Sequence, residues 1–350
     1  MSDSRMNNQG RDFHIALVTP DGQPDGTGNQ VMARRLAAGL RGRGLRVTVM
    51  PAAELAAADG SFDRIHALHV GKAGPAALAR SQRSGIPLTV TFTGTDLELD
   101  LPDTARRASL IRVLEGAQGI ALLHDGMKDI LARFFPQGLS RAVVIRQGPA
   151  LPSPAGRVCA DWGIPPEAFV FLLPAGLRAV KRPGYALEPL RSLRKSYPQV
   201  HWLLAGPELE SEVAAALQYA IRSHPWIQYT GEVSHSELVD LYHCSDVVLN
   251  TSAAEGMPNA ILEAMSLGRP VLVSDCTGNR TLVESEVDGL VFNSQADFEQ
   301  QARRLLENPD LLDRLGRAAR SKIQCCFRPE TEITGYVDLL TMPCRQITLR

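Results

Sequence analysis

Short apolar runs alternate, throughout the first half of the chain, with stretches in which apolar residues recur every three or four positions. The runs predict six strands, at residues 14–18, 46–50, 63–68, 88–92, 119–123 and 142–145. The stretches between them predict helices at residues 30–43, 74–84, 104–115 and 126–135. This alternation indicates a parallel sheet with helices on both of its faces.

The same alternation resumes after a proline-rich break. Residues 149–166 contain five prolines and no apolar period, which is typical of a linker. Ser234 and Glu237 fit a capping box for a helix that ends near Cys244. The remaining elements of this half are predicted strands at residues 170–174, 201–205, 227–229, 247–251, 271–274 and 290–292, and helices at 297–307, 309–325 and 330–340.

A chain of 350 residues exceeds the usual size of a single hydrophobic core, so we expect two domains. The predicted organisation is a disordered lead at 1–12, a first domain at 13–150, a linker at 151–166, a second domain at 167–328, and at 329–350 a helix that packs back toward the first domain. The fold class is therefore α/β, with two doubly wound, Rossmann-like halves. Such halves bind ligands in the cleft at the carboxyl ends of their strands.

Composition narrows the function classes. The apolar fraction of 44% and charged fraction of 21% are ordinary for a globular protein. A net charge of −1 argues against a nucleic-acid binder that works by neutralising phosphates. No window approaches 18 apolar residues, so no membrane span is expected. The polar residues 1–11 lack the apolar core of a secretion signal, which favours a cytoplasmic location.

The cysteines are expected to be reduced thiols, because none forms a Cys-x-x-Cys pair and a cytoplasmic location favours reduction. Histidine partners at zinc-ligand spacing are missing, so no metal site is predicted. The cysteines are Cys159, Cys244, Cys276, Cys325, Cys326 and Cys344.

Two glutamates stand eight positions apart after the apolar run at residues 247–251. Proline favours the first helical position, so Pro258 predicts that Glu255 lies in the preceding loop and Glu263 about one turn inside the helix. Loop amides and a helix N-terminus suit anionic or hydroxyl-rich ligands, and carboxylates accept hydrogen bonds from sugar hydroxyls. A capped surface helix with two scattered acids would show the same pattern.

Two cations follow the strand predicted near residues 169–174. Arg178 offers a fork of donors and Lys181 a compact charge, so the pair would suit a diphosphate in the cleft. Two solvated surface cations would look the same. A glycine-containing loop after the first strand presents Gly28 and Asn29, whose backbone could approach a ligand. It is not G-x-G-x-x-G, so a dinucleotide fingerprint is absent, and a plain turn remains an alternative.

Three other strand ends point into the predicted cleft. His69 follows the strand at 63–68 and could act near a reacting centre, as could His66 with less support, although lone histidines are more often structural. Thr95 and Asp96 follow the strand at 88–92, where the alternating acids at residues 96–100 suggest a solvated helix start. Gly278 and Asn279 follow the strand at 271–274 and could present amides or form an ordinary turn.

The frame that begins at Glu255, E-G-x-P-x-x-x-x-E-A-x-x-x-G-x-P-V, resembles the E-x7-E motif of the group 1, or family 4, retaining glycosyltransferases. Residues 287–292 and the glycine loop after the first strand extend the resemblance to about residues 13–340. The resemblance implies the GT-B fold, in which two Rossmann-like domains enclose a cleft. The first domain would then bind the acceptor and the second the nucleotide-sugar donor.

The resemblance also implies site roles. Glu255 would hold the donor sugar, Glu263 the ribose hydroxyls, and Arg178 with Lys181 the phosphates, although the arginine lies nearer the lysine than in G-R-L-x-x-x-K. His69 would lie at the reacting centre. The other implied donor contacts are Gly256, Met257, Pro258, Asn259, Gly278 and Asn279, with Pro258 offering no amide. The implied acceptor contacts are Gly28, Asn29, Thr95 and Asp96.

Three departures from the common family pattern indicate one branch of the family. The chain has Thr93-Gly94 where His-Gly is common, Gln147-Gly148 where Asn-Gly is usual, and Gly278-Asn279 where Gly-Gly is usual. This combination is similar to glycosyltransferase 1 domain-containing proteins and, more distantly, to bacterial selenosugar synthases.

The expected function is retaining transfer of GlcNAc or a related hexose from a UDP-sugar to a small acceptor, with no metal and no cofactor. Three alternatives stay open. The acceptor could be selenophosphate or a thio analogue. The enzyme could be a GT-B phosphorylase or a UDP-sugar 2-epimerase. The chain could also be a non-catalytic nucleotide-sugar-binding protein. The nucleotide base, the acceptor and the oligomeric state are not fixed by these residues.

Overall fold

The computed structural model describes residues 13–22 and 27–343 of the chain. The predicted lead at 1–12 lies outside the described residues, as does Cys344. Two six-stranded parallel sheets form the molecule, one in each half. The predicted α/β class with two doubly wound halves is confirmed.

The first sheet has the strand order β2-β1-β3-β4-β5-β6. Its strands are β1 His14–Thr19, β2 Arg46–Pro51, β3 Arg64–Leu68, β4 Leu88–Thr91, β5 Ala117–Leu122 and β6 Ala142–Val144. The connecting helices are α1 Gly28–Arg41, α2 Gly74–Ser84, α3 Thr104–Gly116 and α4 Gly126–Phe134. Helices cover both faces of the sheet, so the inner strands are continuous apolar runs rather than alternating ones. β1 and β3 are buried along their whole length.

The second sheet has the order β12-β11-β10-β7-β8-β9. Its strands are β7 Phe169–Pro174, β8 Val200–Ala205, β9 Ile227–Tyr229, β10 Val247–Asn250, β11 Val271–Ser274 and β12 Leu290–Phe292. The helices of this half are α5 Leu187–Ser196, α6 Ser211–Ser223, α7 His235–His243, α8 Asn259–Ser266, α9 Thr277–Leu282, α10 Gln295–Glu307, α11 Pro309–Cys326 and α12 Pro329–Thr341. No prediction was made for α5, α6 or α9.

Helix α12 lies against the first half of the molecule. Its Glu332 carboxylate, 1% exposed, accepts two hydrogen bonds of 3.0 Å from the Arg35 guanidinium on α1 and one of 3.0 Å from the Gly148 amide. The Tyr336 hydroxyl lies 3.1 Å from Thr91 Oγ1 at the end of β4. The last helix therefore completes the core of the sheet formed by the beginning of the chain.

The expectation of reduced cysteines is wrong for one pair: Cys159 and Cys244 form a disulfide. The turn Cys159–Trp162 in the linker packs beside the end of α7, which brings the two Cα atoms to 5.3 Å, within disulfide range. The Asp240 carboxylate on α7 accepts hydrogen bonds from the Gly156 and Arg157 amides at 3.3 and 3.0 Å. The linker is therefore fastened to α7, and a count of cysteine spacings could not detect this contact.

The helices and the metal-ligating side chains of the described residues bear on membrane spans and metal sites. Within residues 13–22 and 27–343, no helix combines the length and apolar character needed to cross a bilayer. The same residues contain no group of three or more His, Cys, Asp or Glu side chains that could hold a metal ion.

Candidate functional site

A cavity of about 530 Å³ lies between the two halves, at the carboxyl ends of their strands. Parallel sheets leave backbone amides and loop side chains exposed at this edge, which explains the position of the cavity. Most of the predicted site residues line it: Gly28, Asn29, His69, Thr95, Arg178, Lys181, Glu255, Gly256, Met257, Pro258, Asn259 and Glu263.

Glu255 forms the centre of the cavity wall on the second half. Its Oε1 atom accepts three hydrogen bonds, from Lys181 Nζ at 2.5 Å, Ser252 Oγ at 2.6 Å and Asn250 Nδ2 at 2.9 Å. Burial alone would raise the pKa of this carboxyl, but the Lys181 charge and the three donors outweigh burial and hold the pKa below its ordinary value. Glu255 is therefore an oriented, negatively charged group.

Gly278 and Asn279, predicted as donor contacts, lie behind Glu255 instead of lining the cavity. They occupy the first turn of α9, and a Cβ atom on Gly278 would overlap the Glu255 carbonyl. The fully buried Asn279 amide donates to the Ser274 carbonyl at 2.9 Å and to Asn250 Oδ1 at 3.3 Å. Gly278 and Asn279 therefore pack against Glu255 and hold its hydrogen-bond partner Asn250 in place. The family motif does not indicate this role.

The two predicted phosphate-binding cations have different surroundings. Lys181 is paired with Glu255, and its carbonyl accepts a hydrogen bond of 2.7 Å from Thr251 Oγ1 at the end of β10. Arg178 is half-buried at the cavity wall, and its guanidinium has no hydrogen bond or ion pair to any described residue. Of these two predicted cations, Arg178 is thus the one that remains available for an anionic ligand.

Glu263 lies on α8, which begins at Asn259, one residue later than predicted. Its carboxylate is 5% exposed. Glu263 Oε1 lies 3.0 Å from His235 Nε2, and Oε2 accepts a hydrogen bond of 3.0 Å from the Tyr242 hydroxyl. Burial, reinforced by the Glu263 charge, raises the pKa of Tyr242 well above its usual range, so the hydroxyl remains a donor.

His235 and Tyr242 were not predicted as site residues. His235 lines the cavity at the first position of α7, directly after Ser234, whose predicted capping box is present. The capping box therefore located this residue without revealing its function. Tyr242 carried no sequence signal.

Asp96 is an acceptor contact in the prediction, but its carboxylate is fully buried beneath the cavity. Its Oδ1 accepts hydrogen bonds of 2.9 Å from both the Thr93 and Gly94 amides, and Oδ2 accepts one of 2.7 Å from the Val70 amide. The expected solvated helix start is wrong, because these backbone donors compensate the burial of the charge. Asp96 fastens the loop that presents Thr95.

His69 is buried beside Thr95 and adopts a left-handed backbone with φ 79°. Its Nε2 lies 3.3 Å from Thr95 Oγ1, and its Nδ1 accepts a hydrogen bond of 3.2 Å from the Lys72 amide. A non-glycine residue in this conformation is strained, and such strain is concentrated at functional sites. His69 therefore fits a role at the cavity surface.

His66, in contrast, is structural. Its two ring nitrogens lie 2.8 Å from the Thr89 and Thr91 hydroxyls, and burial lowers its pKa to about 3.

Two helix N-termini face each other across the cavity. Gly28 begins α1 and Asn259 begins α8, and Asn259 Nδ2 lies 3.5 Å from the Gly28 carbonyl. Neither helix has an acidic residue in its first turn, so the positive ends of both dipoles remain uncompensated there. The cavity can therefore accommodate negative charge from both sides.

Gln147 and Lys72 also line the cavity without having been predicted as site residues. Gln147 is 2% exposed, and its Oε1 has no hydrogen-bond partner in the described part of the chain. Its replacement of the usual Asn in the Gln147-Gly148 pair was the available signal. Lys72 had none, because an exposed lysine after a strand is common.

Both halves of the chain match known proteins. The family described as "Glycosyl transferases group 1" matches residues 159–322, and "Glycosyl transferase 4-like domain" matches residues 5–148. A protein of Xenopus tropicalis named glycosyltransferase 1 domain-containing protein 1 is 27% identical over 262 residues, covering 73% of this chain and 76% of the relative. A D-inositol 3-phosphate glycosyltransferase of Streptomyces bingchenggensis is 24% identical, covering 74% of this chain and 62% of the relative.

Solved structures share the fold. HepE of Anabaena, crystallised with UDP and glucose, superposes with a TM-score of 0.77 at 18% identity, covering 93% of this chain and 98% of HepE. Sucrose-phosphate synthase of Thermosynechococcus elongatus superposes with a TM-score of 0.78 at 17% identity, covering 94% and 98% of the two chains. The two family matches together span most of the sequence, and the E-x7-E glutamates line the cavity between the two halves. The chain therefore belongs to the group 1 glycosyltransferases, and it is a transferase with their GT-B fold.

Proposed function

We propose that the protein transfers GlcNAc or a related hexose from a UDP-sugar to a small acceptor, with retention of anomeric configuration. The observation that carries the proposal is the buried, ionised Glu255 at the wall of a cavity that also contains the Arg178 guanidinium, which pairs with no residue that the structure describes. A hydroxyl-binding carboxylate beside an anion-binding cation suits a sugar joined to a diphosphate. HepE, which has the same fold, was crystallised with UDP-glucose.

In this proposal the donor occupies the second half of the cavity. Glu255 accepts hydrogen bonds from sugar hydroxyls, and the amides of Gly256 and Met257 contact the donor. Glu263, held by His235 and Tyr242, receives the ribose hydroxyls. Arg178 binds the diphosphate. Lys181 acts mainly through Glu255, because its ammonium is already paired with that carboxylate.

Cleavage of the sugar–phosphate bond leaves negative charge on the diphosphate. Arg178 and the N-terminus of α8 are placed to stabilise this charge, so no divalent metal is required. The acceptor enters from the first half, next to Gly28, Asn29, Thr95 and His69. Retention is proposed from the family motif around Glu255.

A second candidate is transfer to a small anionic acceptor such as selenophosphate or thiophosphate. The observation that favours it is the positive character of the acceptor side. Lys72 lines the cavity there, and the N-terminus of α1, without an acid in its first turn, faces it. Both features attract an anion.

A two-stage experiment tests the proposal. A thermal-shift screen of nucleotide sugars, with UDP-GlcNAc and UDP-glucose included, identifies donors that raise the melting temperature. Each donor is then incubated with candidate acceptors, including selenophosphate and thiophosphate, and products are identified by mass spectrometry and their anomeric configuration by NMR. We expect UDP release coupled to an α-configured product. A donor that binds without turnover, a free 2-epimer, or sugar phosphate formed from a disaccharide and phosphate would contradict transfer.

A further inference from the structure

The two halves meet in a contact between two backbone segments, Thr93–Gly94 after β4 and Glu255–Gly256 after β10. A Cβ atom on Gly94 would overlap the Gly256 amide nitrogen, and a Cβ atom on Gly256 would overlap the Thr93 carbonyl. Gly94 also has a φ of 129°, which side chains disfavour. We call this contact the interdomain seam. Because Glu255 belongs to it, the position of that carboxylate depends on how the halves close.

Glu98 lies at the seam, on the short helix Asp96–Asp100 of the first half. The Glu98 amide donates to the Gly94 carbonyl at 2.9 Å, and the Glu98 carboxyl faces the Glu255 backbone. The Glu98 Oε1 atom is buried and has no hydrogen-bond partner among residues 13–22 and 27–343. A buried carboxyl oxygen without a partner is costly when ionised, so the site favours the protonated form.

Within the part of the chain that the structure describes, the charged groups that act on the Glu98 carboxyl include no cation. Glu255 and Asp96 are negative, and the Cys276 thiol on the second half stays neutral because burial raises its pKa to about 11. His124, packed against Gly256, is neutral above pH 5 because burial lowers its pKa to about 4.

Arg106 on α3 contacts Asp100 at 2.5 Å, and Lys128 on α4 contacts Asp125 at 2.9 Å. Of the other cations on α3 and α4, the helices that pack beside the Asp96–Asp100 helix, Arg107 donates to the Leu101 carbonyl at 2.9 Å, Arg112 is exposed, and Arg133 lies over the Phe134 ring.

We propose that Glu98 is a positioning residue of sugar transfer, whose carboxyl holds the Glu255–Gly256 backbone against the first half of the molecule. The role rests on the proposed function, since Glu98 acts through Glu255. Burial raises the pKa of Glu98 to about 7, and the Glu255 charge acts in the same direction, whereas the nearby Glu255 backbone acts against both. Because the closed seam raises the pKa of Glu98, protonation of Glu98 favours closure of the two halves, and closure is therefore favoured below pH 7. Above it, Glu98 ionises beside Glu255, and the seam loosens.

Three variants separate this role from a general structural one. Glu98→Gln keeps the shape of the side chain without its charge, Glu98→Ala removes the carboxyl, and Glu115→Gln is the control on an exposed glutamate of α3. Hydrogen–deuterium exchange of the peptide covering residues 253–260 is measured from pH 6 to pH 8 without ligand. Comparison with wild type at each pH cancels the intrinsic pH dependence of exchange.

We expect wild-type protection of this peptide to fall about tenfold between pH 6 and pH 8, relative to Glu98→Gln. Glu98→Ala lacks protection throughout, and Glu115→Gln follows wild type. Identical pH profiles for wild type and Glu98→Gln would overturn the proposal, as would full protection in Glu98→Ala.

The dissociation constant of UDP, measured by calorimetry on the same proteins, separates this proposal from the proposed function. UDP ionises in the same way in every titration, so its ionisation cancels when the wild-type dissociation constant is divided by the Glu98→Gln dissociation constant. We expect this ratio to rise about tenfold between pH 6 and pH 8. A ratio that stays constant with pH while UDP binds contradicts the role of Glu98. If wild type does not bind UDP, the proposed function fails, and the exchange experiment still decides on the seam.

Discussion

The Lys181 ammonium lies 2.5 Å from Glu255 Oε1, and both side chains are largely buried at the wall of the cleft. The two residues that the family motifs assign to phosphate and to sugar are therefore one ion pair. The positive charge of Lys181 keeps Glu255 ionised, and of the two predicted phosphate-binding cations only Arg178 has no partner among the described residues.

Replacing Glu255 should abolish transfer without unfolding the protein. We expect Glu255→Gln to lower turnover by about 100-fold or more, since a preorganised charge in the cavity is lost. Far-UV circular dichroism and the melting temperature check the fold, and UDP release checks turnover. Near-wild-type transfer by Glu255→Gln would contradict the central role of the carboxylate.

Replacing Lys181 should destabilise the protein in a pH-dependent way. Lys181→Ala leaves a buried carboxylate with only its Ser252 and Asn250 donors, at a cost of about 3 kcal/mol near pH 7. In the folded protein the pKa of Glu255 lies below its ordinary value of 4.5. The stabilisation that the Lys181–Glu255 pair contributes is therefore present above pH 4.5, and it is lost as the pH falls through the lowered pKa of Glu255. Chemical denaturation at pH 7 and pH 4 should show the difference from wild type shrinking in acid. A difference that grows in acid contradicts the assignment.

Replacing Arg178 should affect ligand binding and leave stability unchanged. The guanidinium has no described partner, so Arg178→Ala should change the free energy of unfolding by less than about 0.5 kcal/mol. Loss of a charged hydrogen bond to the diphosphate should weaken UDP binding about tenfold or more. Arg112→Ala, at an exposed arginine of α3, is the control for net charge. Unchanged UDP affinity in calorimetry would remove Arg178 from the phosphate site.

Adding a methyl group at Gly278 should disturb Glu255 from behind. The new Cβ would overlap the Glu255 carbonyl, so we expect a loss of about 1–3 kcal/mol in stability together with reduced turnover. Gly184→Ala is a suitable control, because its Cβ would contact only a Leu217 methyl at 3.8 Å. If Gly278→Ala retains full activity, the packing of α9 under Glu255 is not needed for transfer.

Breaking the disulfide should lower the melting temperature. The bond spans 85 residues, and closing a loop of that length stabilises a fold by about 4.5 kcal/mol in the chain-entropy description. Cys159→Ser should lose this stabilisation under oxidising conditions, whereas Cys325→Ser should not. In reductant, wild type and Cys159→Ser should melt together. Equal melting temperatures under oxidising conditions would show that the bond does not form in solution.

The sequence predicted the strands well because parallel strands covered on both faces are continuous apolar runs. It also located Glu255 and Glu263, since a loop–proline–helix pattern fixes their local geometry. It did not reveal contacts between distant segments. Asn250 and Tyr242 act through hydrogen bonds to residues in other elements, and no local pattern records such partners.

Asp96 shows why local polarity can mislead. The alternating acids at residues 96–100 resemble a solvated helix start, yet three backbone amides allow the Asp96 carboxylate to be fully buried. Two of those amides belong to its own loop and one follows β3. Only the fold brings the third into reach, so burial of this charge could not be predicted from its neighbours in the chain.

The contact between Arg35 and Glu332 joins residues separated by 297 positions. During synthesis, the ribosome must therefore release α12 before the sheet that was made first can acquire its last covering helix. Until then Gly148 and the α1 surface lack their partner, and the nascent amino-terminal half is exposed to proteases and chaperones. A truncation that removes α12 should consequently destabilise the amino-terminal half, although that half keeps its complete sequence.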